Sequence, residues 1–266
     1  MGRIKEKDMD EVLEKMKFSY SSVNGFSTCP YGFYLTYIQR KPRKGNFFSD
    51  FGSFVHLIME KYFGGDLRKD QLVEYYKCHY DLNVTNPPPP FPAGMGDTYF
   101  KDGLEFFETF EFPMDKYEVV SIEDSVITRE KDYNLIVKPD LVLKNKETGQ
   151  YVLVDYKTSK LKDNKKKDEE KIAEYKRQFL LYLYYIWIVR GIEITKIVVW
   201  FVRNKRAVVI PIDHNEVMET LEWFSNGIEN IRKEEKWLPN NSKSNSYFCK
   251  YLCSVSEDCA YRDEAE

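Results

Sequence analysis

One heptapeptide constrains the fold of this 266-residue chain more than any other, the segment YVLVDYK at residues 151–157. Val152, Leu153 and Val154 are all apolar, so the segment reads as a strand covered on both faces. It ends on two charges, Asp155 and Lys157, two residues apart. Strand side chains alternate, so both project from the same face of a sheet. A charged pair at the end of a buried strand is costly unless a metal or polar partners match it.

Around this strand the period of the pattern changes. Residues 117–129, 134–143 and 151–157 follow period two and predict three consecutive strands, most simply an antiparallel meander. Gly149, in the turn NKETGQ, is available for positive φ. Upstream, 50–62 carries Phe51, Val55, Ile58, Met59 and Tyr62 at spacings of three and four, which predicts an amphipathic helix. Further helices are predicted near Val23 with a serine cap, over 66–80, over 99–110, over 169–189 with Gly191 as its stop, and over 215–233. Two strands, ITKIVVWFV and AVVIPI, lie between the last two helices. The order predicts an α/β fold with a mixed central sheet flanked by helices, a helical N-terminal region and a cysteine-rich C-terminal tail. A single domain is expected, made of a helical region (1–115), a core (116–235) and a tail (236–266).

The composition is that of a soluble globular protein, 42% hydrophobic and 31% charged. The longest apolar candidate, 179–189, is too short to span a bilayer and rich in tyrosine. The N-terminus has no apolar signal region, so no membrane partner and a cytoplasmic location are expected. A net charge of −3 does not advertise nucleic-acid binding. Such binding needs only a local positive path. One lysine run, Lys157, Lys160, Lys162, Lys165, Lys166 and Lys167, offers one, although a charge run alone is ordinarily a solvated loop.

Asp140, in VKPDLVL, lies on the strand before YVLVDYK. If the two strands pair, Asp140 and Asp155 fall together. Adjacent carboxylates repel, and one protonates unless a cation intervenes. A hard divalent ion such as Mg²⁺ resolves the repulsion and keeps water ligands for chemistry. A neighbouring lysine can orient water or neutralise charge developing on a phosphate. Asp140, Asp155 and Lys157 thus supply the parts for phosphodiester hydrolysis, although D-x-K alone is a weak signal.

VKPDLV followed by VLVDYKTS resembles the motif of the PD-(D/E)xK nuclease superfamily, most closely its RecB-like branch. The branch's upstream G-x-x-x-H helix is matched by Gly52 and His56, and its downstream Q-x-x-x-Y motif by Gln178 and Tyr182. The signatures occur in the expected order over about 50–190 and together are far more specific than any one. The resemblance implies a restriction-endonuclease-like core. It implies Asp140, Asp155, His56 and the backbone carbonyl of Tyr156 as ligands of Mg²⁺ or Mn²⁺. Lys157 would hold the attacking water, with Gln178 and Tyr182 on one helix face beside it.

Five cysteines are present, and three of them, Cys249, Cys253 and Cys259, crowd the tail. A tight thiolate group in a reducing compartment points to metal, and three thiolates leave a fourth position to fill. Cys29, in TCPY, is the natural candidate; Cys78, in a plain helix, is not. The arrangement resembles the subgroup of AddB-type helicase–nuclease subunits and CRISPR-associated exonucleases, in which such a set holds a structural [4Fe–4S] cluster. One gap here is three residues where some members have two, and zinc remains the alternative. The expected partner is DNA, single-stranded or with free ends. No P-loop is present, so any ATP-driven unwinding would come from a helicase or a repair, recombination or CRISPR-adaptation partner. A structure-specific endonuclease and a non-catalytic DNA-binding module are the rival readings.

Overall fold

The structure, a computed structural model, describes residues 6–262. The ends of the helical region and of the tail expected above, 1–5 and 263–266, lie outside it. In chain order the elements are α1 (Glu6–Lys15), β1 (Lys17–Phe18), α2 (Tyr20–Thr28), α3 (Pro30–Phe33), α4 (Phe47–Gly64), α5 (Leu72–Asn83), α6 (Met95–Thr109), β2 (Tyr117–Ile122), β3 (Val126–Glu130), β4 (Tyr133–Val137), β5 (Leu141–Asn145), β6 (Tyr151–Lys157), α7 (Lys165–Arg190), β7 (Ile194–Phe201), β8 (Arg206–Ile210) and α8 (His214–Lys233). Short 3₁₀ and π turns make up much of the tail. Among the described residues no helix is long and apolar enough to cross a membrane.

These elements divide into two compact units. One comprises residues 47–126 and 138–217; the other comprises the residues up to 46, 127–137 and those from 218 onward.

The first unit is built on a five-stranded sheet in the order β2-β5-β6-β7-β8. β5 pairs antiparallel with both β2 and β6, β6 runs parallel to β7, and β7 is antiparallel to β8. A parallel pair requires a crossover, and α7 supplies it. Asn164 caps the start of α7 by accepting the Lys167 amide, and Gly191 stops it at φ 65°. β6 is buried from Val152 to Tyr156, as a central strand covered on both faces should be. The α4 stripe Phe51, Val55, Ile58, Met59 and Tyr62 packs in one core with Tyr76, Phe106, Phe107, Leu141, Leu143, Val152 and Val154. Burial of such side chains stabilises by roughly 1.5–3 kcal/mol each. This mixed sheet flanked by helices is the restriction-endonuclease-like architecture expected from the sequence.

The meander needs correction. The expected strands 117–129 and 134–143 are each broken in two, and β3 and β4 leave the sheet between β2 and β5. Glu123 turns the chain out of β2 at φ 48°, a left-handed conformation uncommon for a side chain with a Cβ. Pro139, which has no N–H for a ladder, sits in the break between β4 and β5.

In the second unit, β1, β4 and β3 form a small sheet in that order, with β1 parallel to β4. Ser19 caps α2 in a reciprocal capping box with Ser22. Pro30 occupies the first turn of α3, where its missing N–H does no harm. Gly227 of α8 lies where a Cβ would come 2.4 Å from Val23 Cγ1, so α2 and α8 meet at a distance only glycine permits.

Candidate active site

Strand register assembles the first layer of the site. In the β5–β6 ladder Leu141 faces Val154, so the residues just beyond, Asp140 and Asp155, meet at the same end of the sheet. Asp140 Oδ2 accepts the Tyr156 amide at 2.9 Å. In the β2–β5 ladder Ile122 faces Leu141, which brings Glu123 to Asp140; the Glu123 amide donates to the Asp140 carbonyl at 2.9 Å.

α4 delivers His56 to the same place. Its Nε2 lies 2.9 Å from the Tyr156 carbonyl oxygen, and its Nδ1 is 3.4 Å from Glu123 Oε1 and 3.5 Å from Asp140 Oδ2. One ligand atom each from His56, Glu123 and Asp140 falls within 4.8 Å of the others. Glu60, on the same helix, is exposed. Gly52 lets the loop after β6 approach α4, since a Cβ there would touch Thr158 Oγ1 at 3.4 Å.

Asp155 is 2% exposed. Its Oδ2 lies 2.8 Å from Lys157 Nζ, yet the geometry of that contact is not that of a hydrogen bond, and the oxygen has no hydrogen-bond partner. The pair therefore sits on one face, as period two requires, and the buried carboxylate is matched by the lysine ammonium.

Lys157 Nζ also donates to Gln178 Oε1 at 3.1 Å, and Gln178 Nε2 donates to Tyr182 Oη at 2.8 Å. Both partners come from one face of α7. The lysine ammonium rests over the rings of Tyr175 and Phe179, 4.9 and 5.2 Å from their centroids. Tyr175 Oη is in turn held by Ser159 Oγ at 2.8 Å.

The charges are strongly interdependent. Burial pushes Asp140 up, and neighbouring Asp155 pushes it further, to about 7. Burial alone would push His56 down; Glu123, Asp140 and Asp155 outweigh it and raise the imidazole to about 9. Burial opposes the Lys157 charge as well, but Asp155 and Asp140 hold its ammonium above the ordinary lysine range. Glu123 is held low despite its burial, by His56 and by Lys138, whose Nζ is 2.7 Å from Glu123 Oε2. A proton on His56 is thus one of the cations, with Lys138 and Lys157, that offset the carboxylates of this pocket.

The donor set fits a divalent ion in place of that proton. Around Mg²⁺ at 2.0–2.1 Å in octahedral geometry, adjacent ligands lie roughly 2.9 Å apart. His56 Nδ1 stands 3.4 Å from Glu123 Oε1 and 3.5 Å from Asp140 Oδ2, close to that size, and the buried Asp155 carboxylate acts on the same pocket.

The structure brings together the residues expected for the nuclease site, His56, Asp140, Asp155, Tyr156, Lys157, Gln178 and Tyr182. Glu123, Lys138, Ser159 and Tyr175 were not anticipated. The signal for Glu123 was a charge ending a period-two run in VVSIED, legible only once β2 is known to pair with β5.

The model of the PD-(D/E)XK nuclease superfamily matches residues 17–263. The chain belongs to that superfamily. As a PD-(D/E)XK nuclease it places the Asp140, Asp155 and Lys157 signature at one end of its sheet. Among solved structures it is similar to a provisionally named exonuclease from Eubacterium rectale, at 14% identity and a TM-score of 0.54, covering 97% of this chain and 93% of that one. That likeness is one of fold. The structure of SSO0001 is 17% identical over 73% of this chain and 81% of its own, with a TM-score of 0.35. No curated protein matches the sequence.

A second constellation lies wholly within the other unit. Cys29, Cys249, Cys253 and Cys259 line a single cavity, closed on other sides by Leu35, Phe248 and Val255. Cys29 Sγ accepts the amides of Gly32 at 3.3 Å and Asn240 at 3.4 Å. Burial raises the thiols of Cys249 and Cys253. The tail is tied down independently: Lys41 pairs with Asp258 at 2.9 Å, Lys44 pairs with Glu257, and the Lys44 amide donates to the Ser254 carbonyl at 2.8 Å. Among the described residues no three of the four sulfurs fall within 4.8 Å of one another. A tetrahedral Zn–S₄ site, with bonds of about 2.3 Å, would bring sulfurs to roughly 3.8 Å. Cys78 stands apart, exposed on α5 and donating to Glu74.

Proposed function

We propose that this nuclease is a Mg²⁺- or Mn²⁺-dependent exonuclease acting on single-stranded DNA or DNA ends, of the RecB-like kind. The observation that carries the metal chemistry is the meeting of His56, Glu123 and Asp140 within 4.8 Å, at the strand end that bears Asp155 and Lys157. His56, Asp140, Asp155 and the Tyr156 carbonyl are its ligands, with Glu123 a further candidate. When bound, the ion supplies Lewis-acid activation of the phosphate and of a water.

The remaining work falls to this chain's own groups. Lys157 orients the attacking water and offsets negative charge developing on the phosphate. Gln178 fixes the lysine ammonium by accepting from it, and Tyr182 fixes the orientation of the Gln178 amide by accepting in turn. The aromatic floor of Tyr175 and Phe179 keeps Lys157 charged and confined. The exonuclease reading draws on the name carried by the Eubacterium rectale protein of similar fold.

The test is an assay with end-labelled linear and with circular single-stranded DNA, with and without Mn²⁺. Linear DNA should be degraded only with the ion, and Asp155→Ala should abolish it. Equal activity in Asp155→Ala would sink the metal-site reading, and cleavage of closed circles would turn the assignment to an endonuclease.

The cysteine cavity is proposed to hold a structural [4Fe–4S] cluster, supported by four cysteines around one cavity. Protein purified anaerobically should be brown, absorb near 400 nm and contain iron and sulfide. A colourless protein with stoichiometric zinc would replace the cluster by a zinc site.

A further inference from the structure

The lysine run after β6 does not stay together. Lys165, Lys166 and Lys167 open α7 and are exposed. Lys160 and Lys162, also exposed, sit on the loop that leaves the active-site end of β6. The loop that carries them is pinned there by Asn204, whose side chain accepts the Leu161 amide at 2.8 Å and donates to the Leu161 carbonyl at 3.2 Å. Arg203, next to Asn204, lies two residues past Phe201, the residue that faces Lys157 in the β6–β7 ladder. Lys171, one turn ahead of Tyr175 on α7, reaches the Lys160 carbonyl at 3.3 Å.

Lys160, Lys162, Lys171 and Arg203 thus gather around this loop, and Asp102, Glu105, Asp168 and Glu174 are the acids that act on them. Asp102 serves two of them: it accepts from Arg203 at 2.9 Å and lies 3.7 Å from Lys160 Nζ. Arg203 is further held over the Tyr99 ring at 3.5 Å. Asp168 spends both oxygens on the backbone amides of Lys162 and Asn164, at 2.7 and 3.2 Å. Glu174 is the remaining acid acting on Lys171. Half-burial pushes the Lys171 ammonium below the ordinary lysine range, and Lys162 and Arg203 push the same way against Glu174 and Asp168. Such a group of cations is relieved by an incoming anion.

We propose that Lys160, Lys162 and Lys171, backed by the buried Arg203 that Asp102 and Tyr99 hold in place, form a binding site for a backbone phosphate of the nucleic-acid strand, adjacent to the phosphate presented to Lys157. Its ligand class rests on the nuclease reading. Lys171, Tyr175, Gln178 and Tyr182 follow one another on a single face of α7 at spacings of four, three and four. At 1.5 Å rise per residue, Lys171 lies roughly 10 Å along the helix from Gln178. The helix therefore serves as a rail, with the chemistry at one end and a phosphate clamp at the other. The clamp carries no base information, so the site would position any sequence alike.

The test is fluorescence anisotropy of a labelled single-stranded 12-mer, with Ca²⁺ in place of the catalytic ion, over a salt series. Lys162→Ala/Lys171→Ala should weaken binding about tenfold and flatten the dependence of log affinity on log salt by about 1.4, or about 0.7 for each lysine withdrawn from the phosphate. Lys165→Ala/Lys166→Ala, on the exposed start of α7, should change neither. A second measurement needs no variant: the 12-mer should protect Lys171 of the wild-type protein from amine acylation, read by peptide mass spectrometry. Unchanged affinity and slope, or unchanged acylation of Lys171, would overturn the phosphate site. Should the wild type bind and protect as described but cut no DNA with Mn²⁺, the nuclease reading falls and the phosphate site stands.

Discussion

Lys157 illustrates how much of this protein is decided by single side chains. Lys157 is nearly enclosed, and its charge persists because Asp155, Gln178 and two aromatic rings surround it. Removing it in Lys157→Ala should lower the cleavage rate by roughly 10²–10³-fold, the usual cost of removing a group aimed at charge that develops in the reaction. Gln178→Ala leaves the lysine in place but unsteered, and a loss of about 10–100-fold is expected, as for other groups that orient a ligand or catalytic residue. Steady-state rates on linear single-stranded DNA check both, and a Gln178→Ala enzyme as active as wild type would remove Gln178 from the mechanism. The acidic pocket makes a separate statement about pH. Asp140 near 7 and His56 near 9 both lie above their ordinary values of 3.8 and 6.5. Groups raised in the folded state stabilise it fully below their unfolded values, and the gain is lost as pH climbs through the folded ones. The metal-free protein should therefore melt at progressively lower temperature from pH 6 to pH 9. A divalent ion needs both groups deprotonated, so the rise in melting temperature caused by Mn²⁺ should grow over the same interval. A Mn²⁺ shift that is flat with pH would show that the ion binds elsewhere. Glu123→Gln should weaken the Mn²⁺ effect on melting about 10–100-fold in midpoint concentration if this carboxylate supports the ion. This residue was invisible in the sequence for a physical reason. Its role follows from a ladder with β5, and no local pattern states which strands will pair.

At the scale of elements, the parts with a strong local period were legible. The apolar stripe of α4, the doubly buried β6 and the capped, glycine-stopped α7 all carry their instructions within a dozen or two residues, and they bear His56, Asp155, Lys157, Gln178 and Tyr182. What was not legible is the excursion of β3 and β4. Period two continues through it, so the pattern alone reads 117–129 and 134–143 as unbroken strands. The breaks depend on a left-handed Glu123 and on Pro139, each of which the pattern tolerates. Close approaches between helices were equally hidden. Gly103 on α6 sits where a Cβ would come 2.4 Å from Tyr76 Oη and 3.2 Å from Phe51, while that hydroxyl donates to the Phe100 carbonyl at 3.0 Å. Alanine is the better helix former, yet Gly103→Ala should destabilise by about 1–3 kcal/mol through overpacking. Urea unfolding measures it, and a stabilised variant would show that α5 and α6 give way freely.

For the whole molecule, two kinds of cohesion are at work. The unit holding the active site is organised around a continuous apolar core under a five-stranded sheet. The other unit has a three-stranded sheet, and in it the chain from either end meets at four cysteines. Cys29 is separated from Cys249 by most of the sequence, so a group binding both closes a very long loop. By the chain-entropy argument a cross-link over such a loop restricts the unfolded ensemble by about 4–5 kcal/mol. The ion pairs of Lys41 and Lys44 with Asp258 and Glu257 hold the same region, but half-exposed pairs contribute only about 0–1 kcal/mol each. The proposed cysteine-bound group should therefore dominate. Cys253→Ser is expected to lose the absorbance near 400 nm and to lower the melting temperature, with amide exchange rising first in 29–38 and 248–259. Lys41→Ala/Lys44→Ala should keep the colour and melt within a few degrees of wild type. If Cys253→Ser were as stable and as protected from exchange as the lysine double variant, the four thiols would be bystanders, and the tail would owe its place to its own packing alone.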